Sequence, residues 1–276
     1  MIIWLASYPK SGNTYLRALL SSYFFSSDGN FTFENLKNIS QFPDPVFFKD
    51  ININLNDNYE VVKNYINAQK ILNKGINTIQ FIKTHSSFCK VNNHYFTNLE
   101  NSLGVIYIVR DPRNVVISQS HHFGLSISEI TSLMTDNKRL IGANGFQTFL
   151  GSWSFNFNSW KQFGEKFLLL RYEDLIKEPE TCFLKIINFL ENLSSTKYTI
   201  DNKKLKKTIE TTKFNKLKEL ERKDGFSESV IDKKTQKKKI FFNLGPGDNY
   251  SERLDAINRK KIEESFKIEM KELSYL

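Results

Sequence analysis

Residues 2–20 read Ile2-Ile3-Trp4-Leu5-Ala6-Ser7-Tyr8-Pro9-Lys10-Ser11-Gly12-Asn13-Thr14-Tyr15-Leu16-Arg17-Ala18-Leu19-Leu20. An apolar run of strand length gives way to a turn carrying Pro9, Ser11, Gly12 and a single Lys10. Beyond it Leu16, Leu19, Leu20, Tyr23 and Phe24 recur at helical spacing. Strand, tight polar loop and helix together gather main-chain N–H groups and a helix N-terminus around an anion. Lys10 adds a mobile positive charge to that cradle, and Ser11 and Thr14 add hydroxyl donors.

The loop resembles a phosphate-binding P-loop but departs from the triphosphatase pattern G-x-x-x-x-G-K-[ST]. Gly12-Asn13-Thr14 stands where that pattern has Gly-Lys-Thr, Ser7 replaces its first glycine, and the lysine has moved ahead of Gly12. A kinase loop needs its lysine on the β- and γ-phosphates and a hydroxyl on Mg²⁺, so this version points to a different phosphorylated ligand. Tyr-Pro-Lys-Ser-Gly-x-Thr followed by an aromatic resembles the 5′-phosphosulfate loop of sulfotransferases that use 3′-phosphoadenosine 5′-phosphosulfate (PAPS). On that resemblance Lys10, Ser11, Gly12, Asn13, Thr14 and Tyr15 bind the co-substrate.

The 276 residues suffice for one large α/β domain or two small ones, and 40% hydrophobic residues with 24 Phe can build a substantial core. Two cysteines, Cys89 and Cys182, make no disulfide framework, so a reducing compartment is expected. Pro9, Lys10 and Gly12 interrupt the N-terminus before any signal-peptide core forms, and no apolar run approaches the ~20 residues of a membrane span. The expectation is a soluble, cytoplasmic protein. The net charge of +9 is concentrated: residues 201–240 hold fourteen Lys and Arg against seven Asp and Glu. An anionic ligand, nucleic acid or an acidic membrane surface would match this segment, and so would a solvated lysine-rich face, since Phe214 and Phe226 are its only aromatics.

Residues 26–56 lack a period and carry prolines and isolated aromatics (Phe31, Phe33, Phe42, Phe47, Phe48). They read as a lid or acceptor-side loop, or as a surface excursion pinned by its aromatics. Helical spacing returns over 58–73 and stops at Lys74-Gly75. A second apolar strand, Thr78 to Lys83, runs into Thr84-His85-Ser86, and ligand crevices of open α/β sheets lie beyond the carboxyl ends of strands. Gly104–Val109 is a third strand ending at Arg110-Asp111-Pro112-Arg113, with a helix over 114–122 that contains Ser118. An arginine offers a bidentate fork to a phosphate, and a hydroxyl adds one more donor. His121 and His122 point to different sides of that helix and make a poor metal site. Residues 125–163 read as two helices around Gly142 to Gly145, the second running from Phe146 to Trp160 with Trp153, Phe155, Phe157 and Trp160 as core. Phe167–Leu170 is a fourth strand, followed by Arg171-Tyr172-Glu173-Asp174. Helices follow at 179–192 and, amphipathic and charged, at 252–273.

The PAPS-dependent sulfotransferases, in a compact bacterial type, are the family this whole order resembles. The resemblance implies His85 of Lys-Thr-His as general base, with Lys10 and Lys83 as catalytic cations. It implies Arg110 and Ser118 on the 3′-phosphate, Tyr172 near the adenine, and Thr212 and Phe214 as a counterpart of the family's Thr-Ser-Phe element, whose aromatic stacks on the adenine. Near the C-terminus the family carries Arg-Lys-Gly ahead of Gly-Asp-Trp. Here Gly245, Gly247 and Asp248 are kept, while Asn243 and Leu244 replace Arg and Lys, and Asn249 replaces Trp. Lys237, Lys238 and Lys239 are the candidate replacements.

The implied fold is a single P-loop-like α/β domain over 1–276, with a central parallel sheet of four or five strands flanked by helices, and 201–250 as a basic nucleotide-side segment. The implied reaction moves a sulfuryl group from PAPS to an acceptor hydroxyl or amine, on a small molecule or carbohydrate, with no metal and no nucleic-acid partner. The rivals are a P-loop nucleoside or nucleotide kinase and a non-catalytic module binding PAPS or a polyanion. A histidine pKa near ~6.5 leaves the base neutral at neutral pH, with the rate falling at acid pH.

Overall fold

The computed structural model describes residues 1–276 apart from 77, 143–144, 233–235 and 246–249. Among the described residues the central sheet has four parallel strands, β1 (Ile2–Ala6), β2 (Gln80–Thr84), β3 (Ser102–Val109) and β4 (Phe167–Arg171), in the spatial order β2-β1-β3-β4. The register sets Ala6 beside Thr84 and Tyr107, and Val109 beside Arg171. All carboxyl ends therefore open on one edge.

A parallel sheet covered on both faces needs near-continuous apolar strands. In β1 every side chain is fully buried, with Ile2, Trp4 and Ala6 turned to one layer and Ile3 and Leu5 to the other. The first layer is closed by Trp153, Phe157 and Trp160. The second is closed by Leu16, Leu19 and Leu20 of α1 (Asn13–Phe25) and by Phe183, Ile186 and Leu190. The other helices that place site residues are α2 (Pro112–Phe123), α3 (Trp153–Trp160), α4 (Pro179–Ser194), α5 (Asn202–Thr211) and α6 (Phe214–Asp224).

Three stretches depart from the sequence reading. The helix expected over 58–73 is split into Asn58–Lys63 and Tyr65–Asn73, because the Asn64 side chain donates to the Glu60 carbonyl (2.9 Å) and competes with the main-chain ladder. The two helices expected over 125–163 are a helix at Ile127–Thr135, a short antiparallel pairing of Leu140–Ile141 with Thr148–Phe149, and then α3. Gly142 and Gly145 take φ of 101° and 77°, and Thr148–Phe149 is committed to the antiparallel pairing, so a helix starting at Phe146 is excluded. Phe155 is only half-buried, against Phe149, whereas Trp153, Phe157 and Trp160 are core. The C-terminal helix expected over 252–273 is three, Tyr250–Arg253, Ala256–Ser265 and Lys267–Glu272, the last two divided at buried Phe266.

Segment 26–56 forms two short 3₁₀ turns, Phe33–Asn38 and Pro45–Phe48, and buries Phe31, Phe42 and Phe48. Cys182 is buried, Cys89 half-buried, and both are free thiols. No helix among the described residues is long and apolar enough to cross a membrane.

Candidate active site

At the end of β1 the chain turns through residues 7–12 into α1. Lys10 and Gly12 both take left-handed conformations, φ 68° and 100°. A lysine held there is strained, and such strain is concentrated where a side chain must be aimed. Gly12 is the residue before α1, and no side chain caps that helix, so its first N–H groups face the loop. The loop is braced from behind. Gln119 of α2 donates to the Pro9 carbonyl (3.0 Å), and buried Arg139 donates to Gln119 Oε1 (3.0 Å) and the Tyr8 hydroxyl (2.8 Å). Asn13 donates to the Leu5 carbonyl (2.9 Å) and to Ser7 Oγ (3.1 Å), tying the helix start to its strand.

A cavity of about 350 Å³ lies over this edge. It brings together Lys10, Gly12, Asn13, Thr14, Tyr15, Lys83, His85, Arg110, Ser118, Tyr172, Phe214 and Gly245. Two expected residues do not reach it. Thr212 is buried, and its hydroxyl donates to the Thr208 carbonyl (2.8 Å) at the end of α5. Ser11 is buried beneath the loop with its hydroxyl unpartnered.

His85 follows β2 directly, and its Nδ1 lies 2.8 Å from the Ser7 carbonyl. A carbonyl only accepts, so Nδ1 carries the proton and Nε2 carries the lone pair. Burial, helped by the Lys83 charge, lowers the His85 pKa to about 3, well below the ordinary histidine value expected from the sequence. The imidazole is therefore neutral throughout the physiological range. Lys10 sits with Nζ 3.4 Å from the centroid of the Phe241 ring. Burial lowers its pKa to about 7, Glu228 pulls it up, and Lys83 and Arg110 push it further down.

At the other end of the cavity the Arg110 guanidinium stacks 4.7 Å from the centroid of the Tyr172 ring, with Nη2 3.5 Å from the Gly245 carbonyl and Nε unpartnered. The two aromatics assigned to an adenine each rest on a glycine. A Cβ on Gly12 would penetrate the Tyr172 ring, and one on Gly245 would lie 2.5–2.7 Å from Phe214 ring atoms. The guanidinium that engages Asp111 is not Arg110 but Arg113, through contacts of 2.7–3.2 Å. Arg113 also binds Glu263 (2.8 Å) and the Tyr275 carbonyl (2.7 Å), and so leaves Arg110 to the cavity.

The loop at 241–245 is fixed by buried Glu221 of α6, which accepts from the N–H groups of Phe241 (2.6 Å) and Phe242 (2.9 Å). The lysines expected to replace the missing Arg-Lys pair do not line the cavity: Lys239 is bound to the His121 carbonyl (3.1 Å) and Asp232 (3.0 Å), and Lys238 lines a neighbouring cavity. Lys218, one turn after Phe214, donates to the Asn243 carbonyl (2.8 Å). Gly247, Asp248 and Asn249 lie outside the described residues.

Glu228 was not legible as a site residue. In the sequence it is one acid in a lysine-rich run, whereas in the fold it lines the cavity and accepts from Thr14 (3.0 Å), Arg17 (2.5 Å) and Lys83 (3.4 Å). His121 and His122 both line the cavity, and burial next to the Lys10 charge lowers His122 to about 4. Gln41 is the contribution of segment 26–56 to the lining.

A loop with its lysine ahead of the glycine, a histidine whose Nε2 keeps its lone pair and an arginine at the next strand end meet in one cavity of an α/β protein. The profile of the sulfotransferase domain matches residues 2–274, and the chain belongs to that family. It is 26% identical to cytosolic sulfotransferase 14 of Arabidopsis thaliana over 227 residues, covering 79% of this chain and 61% of that relative's length. Mouse sulfotransferase SULT7A1, solved with PAP, shares the fold with a TM-score of 0.62 at 19% identity, over 97% of this chain and 83% of that one. Retinol dehydratase, solved with retinol and PAP, does so with a TM-score of 0.60 at 20% identity, over 98% and 81%.

Proposed function

We propose that the chain is a PAPS-dependent sulfotransferase, moving a sulfuryl group to a hydroxyl (or amine) of a small-molecule or carbohydrate acceptor and releasing adenosine 3′,5′-bisphosphate (PAP). The observation that carries this reading is the pairing of His85 with Lys10 and Lys83 in one cavity, with the His85 proton committed to the Ser7 carbonyl.

The residues present fit the co-substrate, which supplies the sulfuryl group. Thr14 and the uncapped N–H groups of α1 suit its 5′-phosphate, Arg110 and Ser118 suit its 3′-phosphate, and Tyr172 and Phe214 suit its adenine. The buried, unpartnered Arg110 Nε is a donor awaiting an anion. His85 Nε2 takes the acceptor's proton, Lys10 neutralises charge growing on the leaving phosphate, and Lys83 steadies the sulfuryl oxygens. Fixed cations suffice because a sulfuryl group carries less charge than a γ-phosphoryl group.

The kinase alternative is disfavoured by the place of Lys10 and by Asp111, whose carboxylate is bound by Arg113 rather than free for Mg²⁺. A non-catalytic module would need no neutral base beside paired cations. Retinol dehydratase has been solved with androsterone and with retinol. Those names favour hydroxyl-bearing small molecules as the first acceptors to screen. The two free thiols suit a reducing compartment such as the cytoplasm.

The test is His85→Asn assayed with labelled PAPS across acceptor classes. Sulfation should fall ~10²–10⁴-fold while PAP affinity by calorimetry stays near wild type. Full activity of the variant would place the base elsewhere, with His122 the next to examine.

A further inference from the structure

Arg17, Lys10, Lys83 and Arg110 place four cationic side chains at or beside one largely buried cavity. Among its described lining residues the only carboxylate is Glu228. Its geometry is that of a hub. Oε1 accepts from Arg17 Nη1 (2.5 Å) and from Lys83 Nζ (3.4 Å), while Oε2 accepts from the Thr14 hydroxyl (3.0 Å). Arg17 is itself immobilised by the carbonyls of Leu36 (3.3 Å) and Ile39 (3.0 Å), so the hub stands on a fixed base. The three donors come from α1 and β2, and Glu228 joins them across more than 140 residues of chain.

We infer that Glu228 is a positioning residue of the nucleotide site: its carboxylate, anchored on Arg17, aims the Lys83 ammonium and the Thr14 hydroxyl and supplies the counter-charge to the cations gathered there. The inference rests on the nucleotide reading above and deepens it.

Two ammonium groups and two guanidinium groups gathered in a poorly solvated cavity repel one another, and burial penalises each charge. Lysine yields first, because guanidinium does not deprotonate in proteins. Lys83 is pushed down by burial and by Arg17, and Glu228 opposes both; Lys10 is pushed down by burial, Lys83 and Arg110, and again Glu228 is the chief opposing charge, with Glu221 of α6 behind it. His85, His121, His122, Tyr15 and Tyr172 are the other titratable groups lining the cavity with these lysines, and His85 and His122 are held neutral near pH 7. On its outer side Glu228 borders a second cavity whose charged residues are Glu34, Lys37, Asp44, Asp224 and Lys238, two of them cationic and three anionic, in addition to Arg17. None of those three carboxylates lines the first cavity, so none stands in for Glu228 there.

The experiment is PAP affinity by calorimetry from pH 6 to 9 for wild type, Glu228→Gln and Glu228→Asp, with thermal midpoints recorded alongside. Gln keeps the shape but carries no charge: its amide oxygen can accept from Arg17 and Lys83, while its amide nitrogen donates to the Thr14 hydroxyl. At pH 6 its affinity should stay within about threefold of wild type. The alkaline loss of affinity should begin about one pH unit earlier, giving roughly tenfold weaker binding at pH 8. Asp keeps the charge and should keep the wild-type limb, which tests the inference even if the Gln variant fails to fold. A uniform loss at every pH would reduce Glu228 to a structural contact and overturn the inference. Tighter binding by Glu228→Gln would also overturn it, since the carboxylate would then be competing with the nucleotide for Thr14 and Lys83. Wild type that does not bind PAP would overturn the nucleotide reading itself, and this inference with it.

Discussion

Gly12→Ala tests the packing of the site most directly. Gly12 holds φ 100°, and an added Cβ would penetrate Tyr172 at Cδ2, lie 3.0 Å from its Cε2 and 3.2 Å from Ile108 Cδ1. A non-glycine residue in that conformation costs roughly 1–3 kcal/mol. Forcing the ring aside adds an overpacking cost of roughly 1–3 kcal/mol, because the atom struck is the near edge of a buried ring and not a flexible tip. Together the two amount to about 2–6 kcal/mol. Gly75→Ala is the internal control: its φ is 74° and nothing lies within 4 Å of its Cβ position, so it carries the backbone cost alone. Both substitutions reduce the freedom of the unfolded chain alike, and that contribution cancels in the comparison. Urea denaturation should therefore place Gly12→Ala below Gly75→Ala by about 1–3 kcal/mol, and thermal melts should agree at roughly 2–4 °C per kcal/mol. Since the displaced ring is also the one beneath Arg110, PAP affinity should fall about tenfold or more in Gly12→Ala and not in Gly75→Ala. Equal stabilities together with unchanged PAP affinity would show that the Gly12–Tyr172 contact does not organise the site.

Arg110→Ala should erase a preference for PAP over 5′-AMP, a loss of roughly 1.5–3 kcal/mol per charge-assisted hydrogen bond; calorimetry with both nucleotides reads it, and a wild type that binds the two alike would refute the assignment. The pH profile should show no acid limb between pH 5 and 8, because His85 stays neutral down to about 3, and an alkaline decline as Lys10 loses its proton above about 7. An anion raises the pKa of a neighbouring ammonium, so PAP binding at pH 8 should take up part of a proton, measurable by calorimetry in buffers of different ionisation enthalpy. Zero uptake would place Lys10 outside the ligand's field.

Much of the architecture was legible because its signals are local. A strand buried on both faces must be apolar throughout, so β1, β2, β3 and β4 announce themselves, and the residues just past their ends, Lys10, His85, Arg110 and Tyr172, fall on one edge by topology alone. The left-handed turn before α1 is written in Gly12, and its lysine in the same few residues. What the chain could not disclose depends on partners remote in sequence. His85 looks like an ordinary histidine until the Ser7 carbonyl and the Lys83 charge are packed against it, which fixes its tautomer and holds it neutral. Asp111 has two candidate arginines within two residues, and only the position of Glu263 and the main-chain carbonyl of Tyr275 draws Arg113 onto it and leaves Arg110 to the cavity. Glu228 is the clearest instance. Composition counts it as one acid against many lysines, and only the fold, by carrying it back onto Thr14, Arg17 and Lys83, turns a surface charge into the counter-charge of the site, because electrostatic roles are set by distance and burial rather than by order along the chain.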